Sequence, residues 1–486
     1  MAGIGFELKK LFHRKGIFAS VRAFGYAAVI TTGPMLLGVV LILGIMGICE
    51  LAGSPRSERE LLICMITYTM LASVTVTSYL SMVVTRFTAD MLFEERKEEI
   101  LPSFWGSAIL MMAAGGILWL VFLIFSGATR LQGVLLYILF QELVIVWNAI
   151  SYLTAIKDYK NIFRSFFAAI GCSLILGLML VRMKYPVTES LLLAVSVGYG
   201  VKMIWDVTLL YRYFPKSDRP AFSFMEWADQ YPELPWIGFL NNMGLFSHLV
   251  IMWFSSVGVR LKGLFFGAPY HDVPALTAFL TILITTVNFV VSVEVNFYPK
   301  YRNYNSLYSS KGTCRDIIQA EKEMLKVLKN ETFYTALKQL LFTAFAIAAG
   351  GYVLDLMPLG FNEMMKGYFR TLCVAYGLYA VGNMMMLLLL YFADYRGVLW
   401  ACGAFACGSA VFSVISLYFP PVYYGFGFLL ASLLFSVIVV LRLDYYTRRL
   451  PYYMLCIQPV AAGDAVGPWR KAAAFLERYL GEEEKK

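Results

Sequence analysis

The sequence predicts an all-α membrane protein of twelve transmembrane helices. Of its 486 residues, 59% are hydrophobic and 15% are charged, and the mean hydropathy is +0.66. Soluble domains are about 45–50% apolar and about 25% charged. Apolar runs long enough to cross a bilayer recur along the whole chain, separated by short charged segments. We therefore expect twelve spans in two lobes of six helices each.

The basic residues predict the orientation of these spans. The 41 Lys and Arg residues concentrate in every second connecting segment. The positive-inside rule places those segments in the cytoplasm, and an even number of spans then puts both termini there. The net charge of +9 is therefore explained by topology, and we expect no nucleic-acid partner.

The chain opens with a basic amphipathic segment, residues 1–22, which predicts a helix lying in the cytoplasmic interface. The first span follows, and its apolar run is too long for a cleaved signal peptide. Thr31 and Thr32 precede a Gly33–Pro34 break within this span. Backbone groups freed by such a break need protein or water as neighbours. We take both threonines as substrate-path candidates, with a simple packing kink as the alternative.

The second span, from about Leu61 to Thr85, is rich in Ser and Thr. A hydroxyl can bond back to its own helix, so each residue alone carries little information. Their number indicates a face that does not meet lipid. Thr75 and Ser78 are the path candidates on this span.

We take four ionisable residues of the predicted spans as intramembrane charge candidates: Glu142, Lys202, Asp206 and His248. A charge in hydrocarbon costs about 2.5–3.5 kcal/mol on insertion scales, so these side chains should face protein and have partners. Lys202 and Asp206 are four residues apart and can pair on one helix face. They form either a transport element or a structural bridge. For His248, the alternatives are helix packing and a proton relay.

The proline-rich segment 213–235 predicts a cytoplasmic linker between the N-lobe, residues 23–212, and the C-lobe, residues 236–443. The two halves align so that Asn241 and Asn242 fall on Thr31 and Thr32. Lobes of six spans have the same orientation, which predicts a pseudo-two-fold axis along the membrane normal.

The eighth span carries a polar stripe at helical spacing: Thr277, Thr281, Thr285, Asn288, Ser292 and Asn296. These positions share one helix face. Interhelical hydrogen bonding is one explanation. A stripe of full membrane depth favours a water-facing wall, so Thr281, Thr285, Asn288 and Ser292 join Asn241 and Asn242 as path candidates.

The segment 300–335 interrupts the C-lobe and contains an amphipathic pattern typical of a cytoplasmic helix. It could pack on the protein, lie on lipid or receive a partner. Residues 444–486 form a cytoplasmic tail with a second short amphipathic piece.

Catalytic and cofactor chemistry is not expected. The eight cysteines are scattered and only three histidines occur, so we predict no metal site and no cofactor. The chain lacks a phosphate-binding Gly-rich loop ending in Lys-Ser/Thr and lacks an Asp-x-Asp sequence. We expect a transporter and no enzyme.

The opening GIGFELKKLF, followed by a basic stretch and the Gly–Pro break, resembles the PelG family, an inner-membrane component of the Pel exopolysaccharide machinery. The resemblance extends over the span pattern. It implies a bacterial inner-membrane member of the multidrug, oligosaccharidyl-lipid and polysaccharide flippase superfamily, with a role in biofilm polysaccharide export. It also implies a cytosolic glycosyltransferase partner and two further membrane partners, one of which binds cyclic di-GMP. No site residue is assigned by the resemblance.

We therefore expect export of a hexosamine-rich, Pel-like polysaccharide through a polar cavity between the two lobes. A lipid-linked oligosaccharide flippase is the nearest alternative. An ion-coupled small-molecule antiporter is another, but it should carry an acidic residue deep in the first or second span, and neither apolar run contains one.

Overall fold

The computed structural model describes residue 33 and residues 36–156, 159–309, 312–356, 361–453 and 467–483. Thr31, Thr32 and the predicted interfacial helix of residues 1–22 lie outside the described residues. By packing, the chain divides into two compact units. We call residues 34–269 with 459–486 the first unit, and residues 270–458, with residues 1–33, the second unit.

The helices up to residue 269 are α1 Leu36–Leu51, α2 Arg56–Phe93, α3 Ile100–Phe125, α4 Arg130–Ile156, α5 Tyr159–Arg182, α6 Val187–Tyr213, α7 Met225–Gln230 and α8 Glu233–Trp253. Helix α2 packs against α4 and α8, and α6 packs against α4 and α5. The buried side chains of these helices are mainly Leu, Val, Phe and Ala. Their apolar surface thus meets other helices on one side and leaves large apolar side chains exposed on the other, as expected for lipid contact.

The helices of the second unit are α9 Pro269–Phe279, α10 Leu283–Val291, α11 Tyr298–Ser309, α12 Cys314–Leu356, α13 Glu363–Tyr391, α14 Tyr395–Ser416, α15 Phe426–Thr447 and α16 Leu450–Tyr452. Helices α13, α14 and α15 pack together, and α12 packs on α11 and α13. The tail forms α17 Pro468–Glu483, which belongs to the first unit.

Eleven helices within the described residues are long and apolar enough to cross a membrane. Helix α1 is the described remainder of the first predicted span. The helical membrane fold predicted from composition is therefore confirmed. The arrangement of twelve spans in two related lobes stays a prediction, because the first span begins outside the described residues.

The eighth span is not a uniform helix. A 3₁₀ turn, Leu280–Ile282, precedes α10, and a π-helical segment, Ser292–Phe297, follows it. Irregular hydrogen bonding of this kind is often found at functional positions of helices. The polar stripe therefore runs through the most irregular span that the structure describes.

A small β-hairpin was not predicted. Strand β1, Val259–Lys262, pairs antiparallel with β2, Phe265–Gly267. Gly263 takes a φ of +54° at the turn, where a side chain would be strained. The hairpin is fixed to α2, since the Tyr68 hydroxyl lies 3.0 Å from the carbonyl of Phe266 and 3.2 Å from its amide.

The seventh span, α8, packs with the first unit. A Cβ at Gly238 would lie 2.2 Å from the Ser78 carbonyl oxygen, so this close approach of α8 to α2 requires glycine. Because α8 packs with the first unit, the boundary between the two units lies between residues 269 and 270. The predicted lobes, residues 23–212 and 236–443, stay a prediction.

Candidate functional site

Three predicted path residues, Thr75, Ser78 and Asn242, lie on the two helices α2 and α8, which pack together. The Asn242 amide nitrogen donates to the Val74 carbonyl at 3.2 Å, and the Ser78 hydroxyl donates to the Thr75 carbonyl at 2.7 Å. Asn242 is 9% exposed, and its Oδ1 finds no hydrogen-bond donor among the described residues. A buried amide oxygen without a donor costs about 1–3 kcal/mol, so this position can accept a hydrogen bond from a water or a substrate.

Asn241 and His248 lie on the same helix. Asn241 is half-buried, whereas His248 is buried at 1% exposure. Both residues thus lie on α8 with Asn242, and the choice between helix packing and a proton relay for His248 stays a prediction.

The polar stripe of the eighth span faces α12. Thr281, Thr285, Asn288 and Ser292 are each 3–4% exposed. The Thr285 hydroxyl donates to Gln339 Oε1 at 2.6 Å, and Gln339 Nε2 donates to the Thr281 carbonyl at 3.2 Å. These contacts join Thr281 and Thr285 of the stripe to a single residue of α12, Gln339.

Asn288 makes the next hydrogen bonds between the eighth span and α12. Its Oδ1 accepts from Lys338 Nζ at 2.6 Å, and its Nδ2 donates to the hydroxyls of Thr335 and Ser292. Farther along, Asn296 Nδ2 donates to Glu331 Oε1 at 2.8 Å. We call the interface formed by these residues of the eighth span and their partners on α12 the polar seam.

The polar seam corrects the interpretation of the stripe as a water-facing wall. In this structure the side chains face a neighbouring helix, and interhelical hydrogen bonding accounts for their burial. The sequence analysis missed the partner stripe, although it was present as polar residues at helical spacing on the ninth span: Glu331, Thr335, Lys338, Gln339 and Thr343. A substrate-path role for Thr281, Thr285, Asn288 and Ser292 stays a prediction.

The predicted pairing of Lys202 with Asp206 is confirmed. Lys202 Nζ lies 2.5 Å from Asp206 Oδ2 and 3.0 Å from the Ser165 hydroxyl, and both charged side chains are 0% exposed. The ammonium also lies 3.8 Å from the ring centroid of Phe166. The pair therefore sits between α5 and α6, and Asp206 does not reach water at the helix end.

Glu142 lies on α4 and faces α6. Its Oε2 accepts from the Ser196 hydroxyl at 2.9 Å, and its Oε1 would lie 3.0 Å from a Cβ at Gly200. The absence of a side chain at Gly200 leaves room for the carboxylate. Among the described residues, the hydrogen-bond partner of Glu142 is thus the neutral Ser196, in contrast to the ion pair at Lys202.

An ion pair in the second unit was also missed. Arg442 donates to both carboxylate oxygens of Asp394, at 2.6 and 2.7 Å. Asp394 caps α14 through the amide of Gly397. The sequence feature that could have predicted this ion pair is an aspartate directly after one apolar run and an arginine at the end of another. This bidentate pair joins the connection between α13 and α14 to the C-terminal part of α15.

The predicted site residues therefore form separate groups. The first unit holds Thr75 and Ser78 with Asn242, the Lys202–Asp206 pair, Glu142 and His248, whereas the second unit holds the polar seam. Over the described residues, no group of three or more His, Cys, Asp or Glu side chains could hold a metal ion.

The family model of PelG, described as putative exopolysaccharide exporter (EPS-E), matches residues 1–455. A comparison with curated protein sequences gives no match.

Solved structures of transporters share the fold. A mutant of the Vibrio cholerae MATE transporter VcmN superposes with a TM-score of 0.63 at 9% identity, over 93% of this chain and 99% of that chain. A MOP superfamily transporter from Pyrococcus furiosus gives a TM-score of 0.55 at 13% identity, over 87% of this chain and 96% of that chain. At such identities the likeness establishes the fold alone.

Proposed function

Because the chain belongs to the PelG family of putative exopolysaccharide exporters, we propose that it moves a Pel-like, hexosamine-rich polysaccharide across the bacterial inner membrane. The match of the family model over residues 1–455 carries this proposal. The chain is a membrane transporter by family and fold. A cytosolic glycosyltransferase supplies the polymer, and both termini of the transporter lie in the cytoplasm.

The polymer passes along a polar path between the two predicted lobes. Sugar hydroxyls need amide and hydroxyl partners along such a path, and the candidates Asn242 and Asn288 offer amides. Asn242 Oδ1 is buried and has no donor among the described residues, which supports a role as an acceptor for substrate. The irregular eighth span supports a role for Asn288, because 3₁₀ stretches within helices often mark hinges and π segments are frequent at functional sites.

The test replaces Asn242 and Asn288 with leucine, singly and together. The double variant N242L/N288L should reach the membrane and abolish secreted polymer. Asn148→Leu is the matched control, because Asn148 is a buried membrane asparagine that bonds to Ser107 and Phe104 outside the proposed path. Normal secretion by a stable N242L/N288L protein would reject the path.

The shared fold with MATE transporters favours one alternative, ion-coupled export of a small molecule. A lipid-linked oligosaccharide is the other alternative substrate. Deletion of the gene distinguishes the proposed function from these two alternatives. Loss of secreted polymer supports export of polysaccharide, accumulation of a lipid-linked precursor supports a flippase, and hypersensitivity to cationic drugs with normal polymer supports an antiporter.

A further inference from the structure

Glu142 lies at the middle of a membrane-spanning helix. Helix α4 runs from Arg130 to Ile156. At a rise of about 1.5 Å per residue, the Cα of Glu142 lies about 18 Å from the first residue of this helix and about 21 Å from the last. A glutamate side chain is too short to reach water at either helix end over that distance. The carboxyl group therefore stays at the middle of the span.

The facing helix leaves room for this carboxyl group. Its Oε2 accepts a hydrogen bond from the hydroxyl of Ser196 at 2.9 Å, and Ser196 is 4% exposed on α6. A Cβ at Gly200 would lie 3.0 Å from its Oε1. Ser196 and Gly200 are four residues apart, so both lie on one face of α6. The half-buried Glu142 thus faces one hydroxyl and the space beside a glycine.

Among the residues that the structure describes, Glu142 forms no ion pair. Helices α2, α3, α5 and α6 pack on α4. Helix α3 has no ionisable side chain, and the charged residues of α2 lie outside its apolar run, Leu61 to Thr85. On α6, Lys202 and Asp206 pair with each other on the side of Ser165, which belongs to α5.

The remaining charged residues of these helices lie toward the helix ends. The other ionisable groups along their middle parts are thiols and phenols: Cys64, Tyr68 and Tyr79 on α2, Tyr137 and Tyr152 on α4, Cys172 on α5 and Tyr199 on α6. None of these groups supplies a positive charge. A negative charge on Glu142 is therefore not neutralised by a neighbouring described side chain, whereas a bound proton would neutralise it.

These surroundings fit a proton better than a metal ion. Hard cations such as Mg²⁺ and Ca²⁺ bind about six or more oxygen ligands. Around Glu142 the described residues supply its own carboxyl group and the Ser196 hydroxyl. A hydroxyl can both donate and accept, so Ser196 can bond to the ionised and to the protonated carboxyl group. The hydrogen bond between α4 and α6 can therefore persist while the charge changes.

We propose that Glu142 is a proton-binding site through which a transmembrane proton gradient drives export. This inference rests on the proposed export function, because it names the energy source of that function. The carboxylate takes a proton from water on the periplasmic side, and an O–H bond forms. That bond later breaks, and the proton passes to water on the cytoplasmic side, without transfer of an electron. Ionisable residues inside spans are typical of such proton pathways.

Two substitutions separate proton binding from packing. Glutamine keeps the length of Glu142 and can bond to Ser196, but it cannot exchange a carboxyl proton. Aspartate is shorter and keeps the titratable group. We expect E142Q to lower polymer secretion about tenfold or more, and E142D to secrete more polymer than E142Q. A purely structural role predicts the reverse order, because glutamine matches the shape of glutamate.

Glu189→Gln is the matched control. Glu189 is half-buried like Glu142 and also joins α6 to α4, because its Oε1 accepts from Gln132 Nε2 at 2.9 Å. It lies in the first turn of α6, at the end of the span. Secretion by E189Q should stay within about twofold of wild type. Size-exclusion chromatography and thermal unfolding show whether each variant is folded.

Infrared spectroscopy measures the proton directly, on the full-length transporter in nanodiscs of phosphatidylcholine. A difference spectrum between acidic and alkaline samples contains the carbonyl band of each carboxyl group that takes up a proton. Subtraction of the spectrum of E142Q, or of E142D, isolates the band of Glu142. A band that sodium chloride leaves unchanged supports the proposal. Absence of the band would overturn it, as would loss of the band on addition of sodium chloride, which would indicate a sodium site.

Polymer secretion separates the two proposals. If wild type supports secretion and E142Q secretes normally, proton coupling at Glu142 is wrong while export stands. If a strain without the transporter secretes normal polymer, export is wrong and the coupling proposal fails with it.

Discussion

Lys202 and Asp206 show how individual charged residues are accommodated in this protein. Their pairing needs only the spacing of four residues, but their complete burial depends on Ser165 and Phe166 of another helix. Insertion of the pair into a dry helix interface is costly, and the mutual attraction of the two charges offsets that cost only while both are present.

Removal of one partner should therefore destabilise the protein more than removal of both. We expect Lys202→Met to lower the free energy of unfolding by roughly 3 kcal/mol, because Asp206 is left buried without its counter-charge. The double variant K202M/D206L should regain most of the loss. Thermal unfolding in detergent, followed by size-exclusion chromatography, measures both.

The same variants test the role of the pair in transport. Normal polymer secretion by a stable K202M/D206L protein would assign the pair to structure alone. A single variant K202M as stable as wild type would contradict the buried ion pair.

The helical conformation of the eighth span changes along its length. Its polar stripe is continuous in sequence, but the helix that carries it changes from 3₁₀ to α to π geometry. In this structure α12 satisfies the stripe by a second row of polar groups. Such interhelical hydrogen bonds contribute about 0.6 kcal/mol each on average in membranes, which is small enough to exchange during a transport cycle.

If the polar seam opens during transport, a covalent link across it should stop secretion. Asn296 and Glu331 are in direct contact across the seam and neither is a path candidate. We expect the variant N296C/E331C to form a disulfide on mild oxidation and to lose polymer secretion, which a reductant restores. Each single cysteine variant serves as a control, and unchanged secretion by the oxidised double variant would show that the seam stays closed.

Helix α17 depends on a cap supplied by another part of the chain. Asp229, at the end of α7, accepts from the amides of Trp469 and Arg470 at 3.2 and 2.8 Å. A carboxylate at a helix N-terminus satisfies backbone donors and interacts favourably with the helix dipole.

Asp229→Ala should therefore loosen the C-terminal helix. Loss of such a cap costs about 0.5–2 kcal/mol, and we expect faster tryptic cleavage after Arg470 and Lys471. Asp218→Ala, in an exposed part of the same linker, is the control and should leave the cleavage rate unchanged. Equal cleavage of both variants would contradict the capping role.

At the scale of the whole molecule, the family and fold establish a membrane transporter, while its orientation rests on the distribution of basic residues. Helix α12 begins at Cys314, which is exposed, and the β-hairpin carries the exposed Arg260. The positive-inside rule assigns these two positions to opposite sides of the membrane.

Labelling of single cysteines tests this orientation, in a background where the other native cysteines are replaced by serine. A membrane-impermeant maleimide should label Cys314 in inside-out vesicles and leave it unlabelled in intact spheroplasts. Arg260→Cys in a C314S background should show the reverse pattern. Labelling of Cys314 in spheroplasts would invert the predicted topology.

The sequence by itself determined the helical membrane fold, because a chain in lipid must satisfy its backbone groups within helices and needs about 20 apolar residues for each crossing. It also determined the pairing of Lys202 with Asp206, since both partners lie on one helix face. Local spacing was sufficient for each of these features.

Only the tertiary structure decided what each polar face meets. The Thr285 hydroxyl bonds to Gln339, which is 54 residues away in the chain, and no periodicity within the eighth span could identify that partner. A polar stripe has the same pattern whether it faces water or a second polar stripe. The choice depends on how neighbouring helices pack, and that packing also placed α8 against α2 and fixed the unpredicted hairpin on Tyr68.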